Sequence, residues 1–311
     1  MTLAQSFIGI DISKAFLDVF DETTSAHSRI ANDGDAIAKL VHGVTGRAVT
    51  IIFEATGSYD RTLALALEHA CIAYVRVNPA RARDFARASG YLAKTDAIDA
   101  RMLAAMGRAV TLKTAEPTDP MRTRLATLHK RRDQLVEDRA DDKKRLLQTS
   151  ETEARASIHR HVAWLKDEIG KIEKTITALI ASCPELLEAK ALLETAPGVG
   201  KVTAVALLAG MPELGHRSAK AIAALAGLAP LNNDSGAMRG RRTIKGGRNR
   251  IRRALYMAAL SAIRACRRFK AKYDEIAKRS ASAKVAIIAI ARKLLVALNA
   301  MAKTNQPFRW A

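Results

Sequence analysis

At 311 residues the chain has room for two domains and a sizeable core. Its 51 Lys+Arg against 31 Asp+Glu leave a formal charge of +20, which excludes an acidic or charge-balanced protein. The excess is uneven: residues 1–112 hold 12 basic and 12 acidic side chains, residues 113–190 hold 16 and 14, and residues 191–311 hold 23 and 5, a net +18. A block that basic selects a polyanionic partner, nucleic acid first and a membrane surface a distant second. The three cysteines, Cys71, Cys183 and Cys266, are far apart and show no metal-ligand spacing, so buried thiols in a reducing compartment are expected rather than a disulfide framework. No basic region followed by a long apolar run opens the chain, and the most apolar late stretch, 283–301, is interrupted by Arg292 and Lys293. Neither a signal peptide nor a membrane span is expected, and the protein reads as cytoplasmic.

In chain order, residues 7–20, "FIGIDISKAFLDVF", read as two strands joined by a tight turn near Ser13–Lys14. Residues 48–57, "AVTIIFEATG", give a short buried strand ending at Glu54, followed by a helical stretch with Leu63, Leu65, Leu67 and Ala70. The strand "AYVRV" (73–77) stops at Asn78–Pro79. Alternation of strands and helices predicts an α/β domain over 1–112. From Pro120 the chain turns long, charged and helical, and between 158 and 179 apolar residues recur at steps of four and three: Ile158, Val162, Leu165, Ile169, Ile172, Ile176, Leu179. That heptad seam predicts a helical hairpin or coiled-coil spacer over 113–190, against the plainer reading of a solvated spacer. After Pro184 the chain is rich in Ala, Leu and Arg without a convincing strand, so an all-α domain is expected over 191–311.

Carboxylates in the first domain share a placement. Asp11 follows the apolar run Phe7–Ile10, Glu54 follows Ile51–Phe53, and Asp96 and Asp99 in "KTDAIDARM" sit three apart on one helical face, where they repel. Each alone is more often a cap, a turn residue or a solvated face. As an ordered set they match oxygen ligands for hard divalent cations, and two Mg²⁺ ions about 4 Å apart can hold both oxygens of a phosphodiester displacement. Metal binding would also relieve the repulsion.

The basic third carries two further features. "LLETAPGVGKVTAVALLA" (192–209) resembles the helix-hairpin-helix unit of DNA-repair proteins, in which glycines such as Gly198 and Gly200 bring backbone N–H groups to a phosphate beside Lys201. An ordinary glycine-rich turn is the alternative. "LNNDSGAMRGRRTIKGGRNRIRR" (231–253) places Ser235 on a polar loop ahead of eight Arg or Lys, among them Arg239, Arg241, Arg242, Lys245, Arg248 and Arg250. Guanidinium groups favour an alkoxide and the charge that builds on a phosphate, yet a loop serine is usually a turn residue.

Together these residues resemble the insertion-sequence transposases of the DEDD class, relatives of the Piv-type site-specific invertases. The likeness is carried by "GIDISK", "EATGSY", "VNPARARDFARASG" and "KTDAIDA" at one end, and by "TAPGVGKVTA", "LAGLAPLNNDSG" and "IKGGRNRIRRAL" at the other. It implies a RuvC-like domain of RNase H-like fold in which Asp11, Glu54, Asp96 and Asp99 bind Mg²⁺. It also implies a transposase domain in which Ser235 is the nucleophile. Such enzymes work as homo-oligomers on donor and target DNA, and members of this architecture use a structured bridge RNA. Asp234 departs from the small or hydroxyl residue usual before that serine. The expected activity is strand transfer through a phosphoserine ester. The alternatives are a metal-dependent junction resolvase or nuclease that forms no covalent intermediate, and a non-catalytic nucleic-acid scaffold.

Overall fold

The computed structural model describes residues 6–309 except 56, 58, 92–94, 116–118, 232–233, 236–237, 240–242 and 281; for 231, 234–235 and 238–239 it describes the backbone alone. The chain forms two compact units, residues 1–117 and 118–311.

The first unit runs β1 (Ser6–Ile12), β2 (Phe16–Asp21), β3 (Ala26–Ala31), α1 (Gly34–Val44), β4 (Val49–Glu54), α2 (Arg61–His69), β5 (Tyr74–Val77), α3 (Pro79–Ala88) and α4 (Asp96–Ala109). Its five strands lie in the order β3-β2-β1-β4-β5. The first three form an antiparallel meander, whereas β4 and β5 run parallel to β1. This is the order expected of an RNase H-like domain.

Strand alternation sorts the side chains. Ile8, Ile10, Leu17, Val19, Ile51 and Phe53 pack with Ile37, Val41, Leu63 and Leu67 of α1 and α2 on one face. Ile52, Val75 and Val77 meet Met102, Leu103 and Met106 of α4 on the other. The strands at 7–20, 48–57 and 73–77 are thus where the sequence places them. The edge strand β3 carried no signal, since "AHSRIA" has no apolar alternation and four of its six residues are exposed.

Gly9 sets the distance between β1 and α4. A Cβ built there would lie 1.9 Å from the Ala100 carbonyl oxygen and 2.6 Å from the Ala104 nitrogen. Only a residue without a side chain lets the helix backbone rest on the strand, and Ala100 and Ala104 are small on the opposing side.

The second unit begins with α5 (Pro120–Gln148) and α6 (Thr152–Ala181). They lie antiparallel, for Leu125 near the start of α5 shares a core with Ile176 and Leu179 near the end of α6, and Leu135 packs on Leu165 and Ile169. Farther out the seam turns polar: buried Asp142 pairs with Arg145 at 2.6 Å and with His161, and Ile158 and Val162 are half-buried. Then follow α7 (Pro184–Glu194), α8 (Lys201–Gly210), α9 (Ala219–Leu225), α10 (Asn249–Ala265), α11 (Arg267–Ser280) and α12 (Ala283–Thr304). Four two-residue strands lie between α9 and α10: β6 (Pro230–Leu231), β7 (Asp234–Ser235), β8 (Met238–Arg239) and β9 (Thr243–Ile244). They pair as β6 with β9 and β7 with β8, so the expected all-α domain is corrected by two minimal ribbons, too short to show periodicity. Helix α12 is long and apolar enough to cross a bilayer. Its Ile290, Leu294, Leu295 and Leu298 are fully buried in the unit's core, which accounts for that apolarity.

The cysteines also need correction: all three are free thiols, but Cys71 is exposed and Cys183 and Cys266 are half-buried.

The turn between α7 and α8 is built around Gly198, at φ +80° with its Cβ position 2.4 Å from both the Ala258 oxygen and the Ala262 nitrogen of α10. Gly200 differs, with nothing within 4 Å of its Cβ position. Gly198→Ala should therefore destabilise by about 3 kcal/mol through strain and overpacking, a fall in Tm of roughly 6–12 °C by calorimetry. Gly200→Ala should leave Tm within about 2 °C.

Candidate active site

The sheet brings Asp18, Asp11 and Glu54 of the first unit into one row. Asp11 is the residue after Ile10, whose parallel partner on β4 is Phe53, so Asp11 and Glu54 stand at adjacent strand ends. By alternation both point to the α4 face, opposite to Ile10 and Phe53. Across the antiparallel pair Asp11 faces Asp18, and Asp18 in turn faces Arg29 of β3. Directly opposed residues project to the same side. A line of Arg29, Asp18, Asp11 and Glu54 therefore crosses four strands under the first turn of α4.

That turn carries Asp96 and Asp99. Thr95 caps the helix, its hydroxyl accepting from the Ile98 N–H at 3.3 Å. Carboxylates in the first turn are favoured by the helix dipole, which offsets part of their mutual repulsion.

The electrostatics register this crowding. The Asp11 carboxyl is pushed up from 3.8 to about 6, first by burial, then by the negative charges of Asp99 and Asp96, with Asp18 adding a smaller effect. The Ile12 N–H hydrogen bond works the other way without reversing it. A carboxylate that resists ionisation because others surround it is a site short of positive charge.

Arg29 supplies one such charge. Its Nε donates to both Asp18 oxygens at 3.1 Å, and its Nη2 reaches Asp96 Oδ2 at 2.6 Å. His27 Nε2 lies 3.0 Å from Asp18 Oδ1. Asp18 is thus a buried carboxylate bonded to Arg29 and His27, and Arg29 draws Asp96 toward it. Among the described residues, no three His, Cys, Asp or Glu side chains are already gathered as a metal cage. As donors, Asp11, Glu54, Asp96 and Asp99 nonetheless suit a hard, oxygen-seeking cation, and the raised Asp11 value fits that donor set.

Sequence reasoning did not single out Asp18 and Arg29. A turn centred on Ser13–Lys14 would oppose Asp11 to Phe16; the turn is Lys14–Ala15, with Ser13 N–H bonded to Phe16 O at 2.9 Å. That shift of one residue moves the register by two and puts Asp18 opposite Asp11.

In the second unit the proposed phosphate contacts sort by exposure. Lys201 at the first position of α8 is exposed, as are Lys245 and Arg250, while Gly198 is occupied by packing against α10. Arg248 is structural: its guanidinium grips Glu213 through two 2.6 Å bonds and donates to the Gly210 oxygen at 2.9 Å. Ser235 lies in β7 with Met238 as register partner, and Asp234 pairs with Arg239. The side chains of Ser235 and Arg239, and all of Arg241 and Arg242, fall outside the described residues.

A five-stranded sheet of this order, with carboxylates at the ends of β1 and β4 beneath an acidic helix start, is consistent with an RNase H-like domain. The matches are more specific. Residues 8–150 match a DEDD-type transposase model of the IS110 family, and residues 190–274 match the transposase IS116/IS110/IS902 family. Each half of the chain thus resembles a transposase domain of that family. It is also 29% identical to the pilin gene-inverting protein of Moraxella bovis over 327 aligned residues, and 29% identical to that of Moraxella lacunata over 324, in each case over 98% of both chains.

Proposed function

We propose that the protein is a transposase or site-specific DNA recombinase. The observation that carries this reading is the row of carboxylates across the strand ends, with Asp11 pushed up to about 6 by burial and by its acidic neighbours. The two transposase domain matches and the end-to-end likeness to DNA-inverting proteins support it.

In this reading Asp11, Glu54, Asp96 and Asp99 would hold Mg²⁺, which would neutralise the cluster and supply Lewis-acid stabilisation to a phosphodiester. Arg29 and Asp18 fix the orientation of Asp96 from behind. Ser235 is the nucleophile: its Oγ loses a proton, attacks phosphorus, and forms a phosphoserine ester as the bond to the leaving sugar oxygen breaks and that oxygen takes up a proton. Attack by a new sugar hydroxyl reverses the exchange, so rejoining needs no external energy source. Lys201, Lys245, Arg250 and the arginines at 239, 241 and 242 bind DNA backbone. The α7–α8 turn takes the part of a helix-hairpin-helix, α5 and α6 that of a coiled-coil spacer, and the chain acts as a homo-oligomer on donor and target DNA in the cytoplasm. Guidance by a bridge RNA rests on the family resemblance, with the +18 charge of residues 191–311 as the physical support.

The test is to place the gene with its native flanking DNA on a plasmid and sequence new junctions in cells. Defined junctions are expected from the wild type, with a loss of at least about 10³-fold in Ser235→Ala, the scale of removing a catalytic nucleophile. Junctions that persist without Ser235 would leave a metal-dependent nuclease or resolvase. Absence of junctions from the wild type would sink the recombinase reading altogether.

A further inference from the structure

Helices α11 and α12 of the second unit enclose an open cavity of about 1590 Å³. Its apolar lining, or floor, includes Phe269 and Ile276 from α11, Val285, Ile288 and Val296 from α12, and Phe308 of the C-terminal tail. These α12 positions recur at helical spacing on one stripe, while Ile290, Leu294 and Leu298 on another are fully buried in the core. Val285 is 43% exposed, so the stripe is an apolar face left open.

Cations stand along both walls: Arg268, Lys272 and Arg279 on α11, Lys284, Arg292 and Lys293 on α12. Arg309 of the C-terminal tail adds another, and among the described residues no Asp or Glu lines the cavity. Glu275 is a neighbour on α11, bonded to Lys272 at 2.6 Å. It is held below the usual carboxylate range by that bond and by the charges of Lys272, Arg279 and Lys293, so the positive field reaches it from both helices.

Pro230, Thr243 and Ile244 complete the rim. They belong to β6 and β9, whose pairing of Pro230 with Ile244 and Leu231 with Thr243 brackets the segment that carries Ser235. The cavity therefore adjoins both ends of that segment.

We infer that this groove binds an unpaired stretch of nucleic-acid strand, with phosphates on the cationic walls and bases against the apolar floor. The inference deepens the recombinase reading and rests on it. Two rows of cations without a lining carboxylate match a strand's phosphates. The apolar floor selects between strand forms, because a duplex keeps its base faces stacked inside and would meet the walls alone. From Arg268 to Arg279 is about 16 Å along the helix axis, enough for a short run of nucleotides. An acidic amphipathic protein helix would also match an apolar stripe. The β6–β9 rim, which brackets the segment carrying Ser235, favours the strand, since a nucleophilic serine needs DNA nearby.

Full-length protein is titrated against a short fluorescent single strand, and against the same sequence as duplex, at several salt concentrations by anisotropy. The variants are Lys272→Gln/Arg279→Gln/Lys284→Gln for the walls and Val285→Glu for the floor, each with its Tm recorded. Removing three phosphate contacts should weaken single-strand binding about 10–100-fold and flatten its log–log salt slope by about 2, with duplex affinity changed less than about 3-fold. Val285→Glu should cost the single strand about 10-fold and spare the duplex. Unchanged single-strand affinity in folded variants overturns the inference, and so does equal loss for both forms, which would mark a general basic patch. Variants that bind both nucleic acids normally but lose self-association or capture of an acidic peptide would reassign the groove to a protein helix. These outcomes are independent of the plasmid assay: junctions formed by a protein whose groove variants bind normally leave the recombinase reading intact, whereas selective strand binding without junctions leaves the groove and removes that reading.

Discussion

Asp11→Asn should abolish recombination and at the same time make the metal-free protein more stable. The two effects have one cause. In the folded protein the Asp11 carboxyl sits at about 6 rather than 3.8, raised by burial and by Asp99 and Asp96. A carboxyl raised by folding binds more protons in the folded than in the unfolded chain between those values. Its stabilising contribution is complete below about pH 3.8 and is lost as pH rises through about 6. At pH 7.5 the charged carboxylate therefore opposes folding. The full shift corresponds to about 3 kcal/mol; solvent reaches this side chain, so about 1–2 kcal/mol survives screening. An asparagine keeps the size and an oxygen for the Ile12 N–H but carries no charge. Urea unfolding without divalent ions should place the variant about 1–2 kcal/mol above wild type at pH 7.5, the gap closing toward pH 4. Millimolar Mg²⁺ should then raise the wild-type midpoint and leave the variant where it was. A variant less stable than wild type at both pH values would show that the carboxylate is structural and that this electrostatic account is wrong.

Legibility followed the strength of local pattern. Strands β1, β2, β4 and β5 were readable because each buries apolar residues in a short run, and Asp11 and Glu54 were readable because a carboxylate directly after such a run breaks the pattern. The family resemblance, carried in part by the ordered acidic set, implied the RNase H-like fold before any register was known. Asp18 and Arg29 were not legible, for their roles depend on a hairpin register fixed by a turn at Lys14–Ala15 and on β3, an exposed edge strand without alternation. In the second unit the heptad positions Leu165, Ile169, Ile176 and Leu179 are buried as their spacing predicts, while Ile158 and Val162 are half-buried where the seam gives way to Asp142 and His161. Gly198 illustrates a different limit. Its position in a Pro-Gly-Val-Gly turn suggested phosphate binding, but a sequence does not show that α10 passes within 2.4 Å of it. Arg248 likewise belongs to a basic run by sequence and to Glu213 by geometry.

The second large effect is expected at Gly9. No catalytic chemistry belongs to this residue, yet every acidic contact between β1 and α4 depends on the close approach it permits. An alanine methyl would lie 1.9 Å from the Ala100 oxygen and 2.6 Å from the Ala104 nitrogen, both helix backbone atoms with no side-chain rotation to relieve them. Either β1 or α4 must move as a body, by an ångström or more, against Met102, Leu103 and Met106, which are buried on the sheet. Overpacking of this kind costs about 3 kcal/mol. The displacement also carries Asp96 and Asp99 away from Asp11. Their charges are, after burial, the largest influences raising the Asp11 carboxyl, so separation should lower its titration toward the ordinary carboxylate value. Gly9→Ala is thus expected to lower Tm, to bring the Asp11 carboxyl down as followed by carbon-detected NMR titration, and to abolish recombination together with the Mg²⁺-induced rise in Tm. Simple destabilisation would reduce Tm while leaving the Asp11 titration and the Mg²⁺ response in place. That result would mean that the acidic cluster tolerates movement of α4, and that the spacing set by Gly9 serves the core rather than the site.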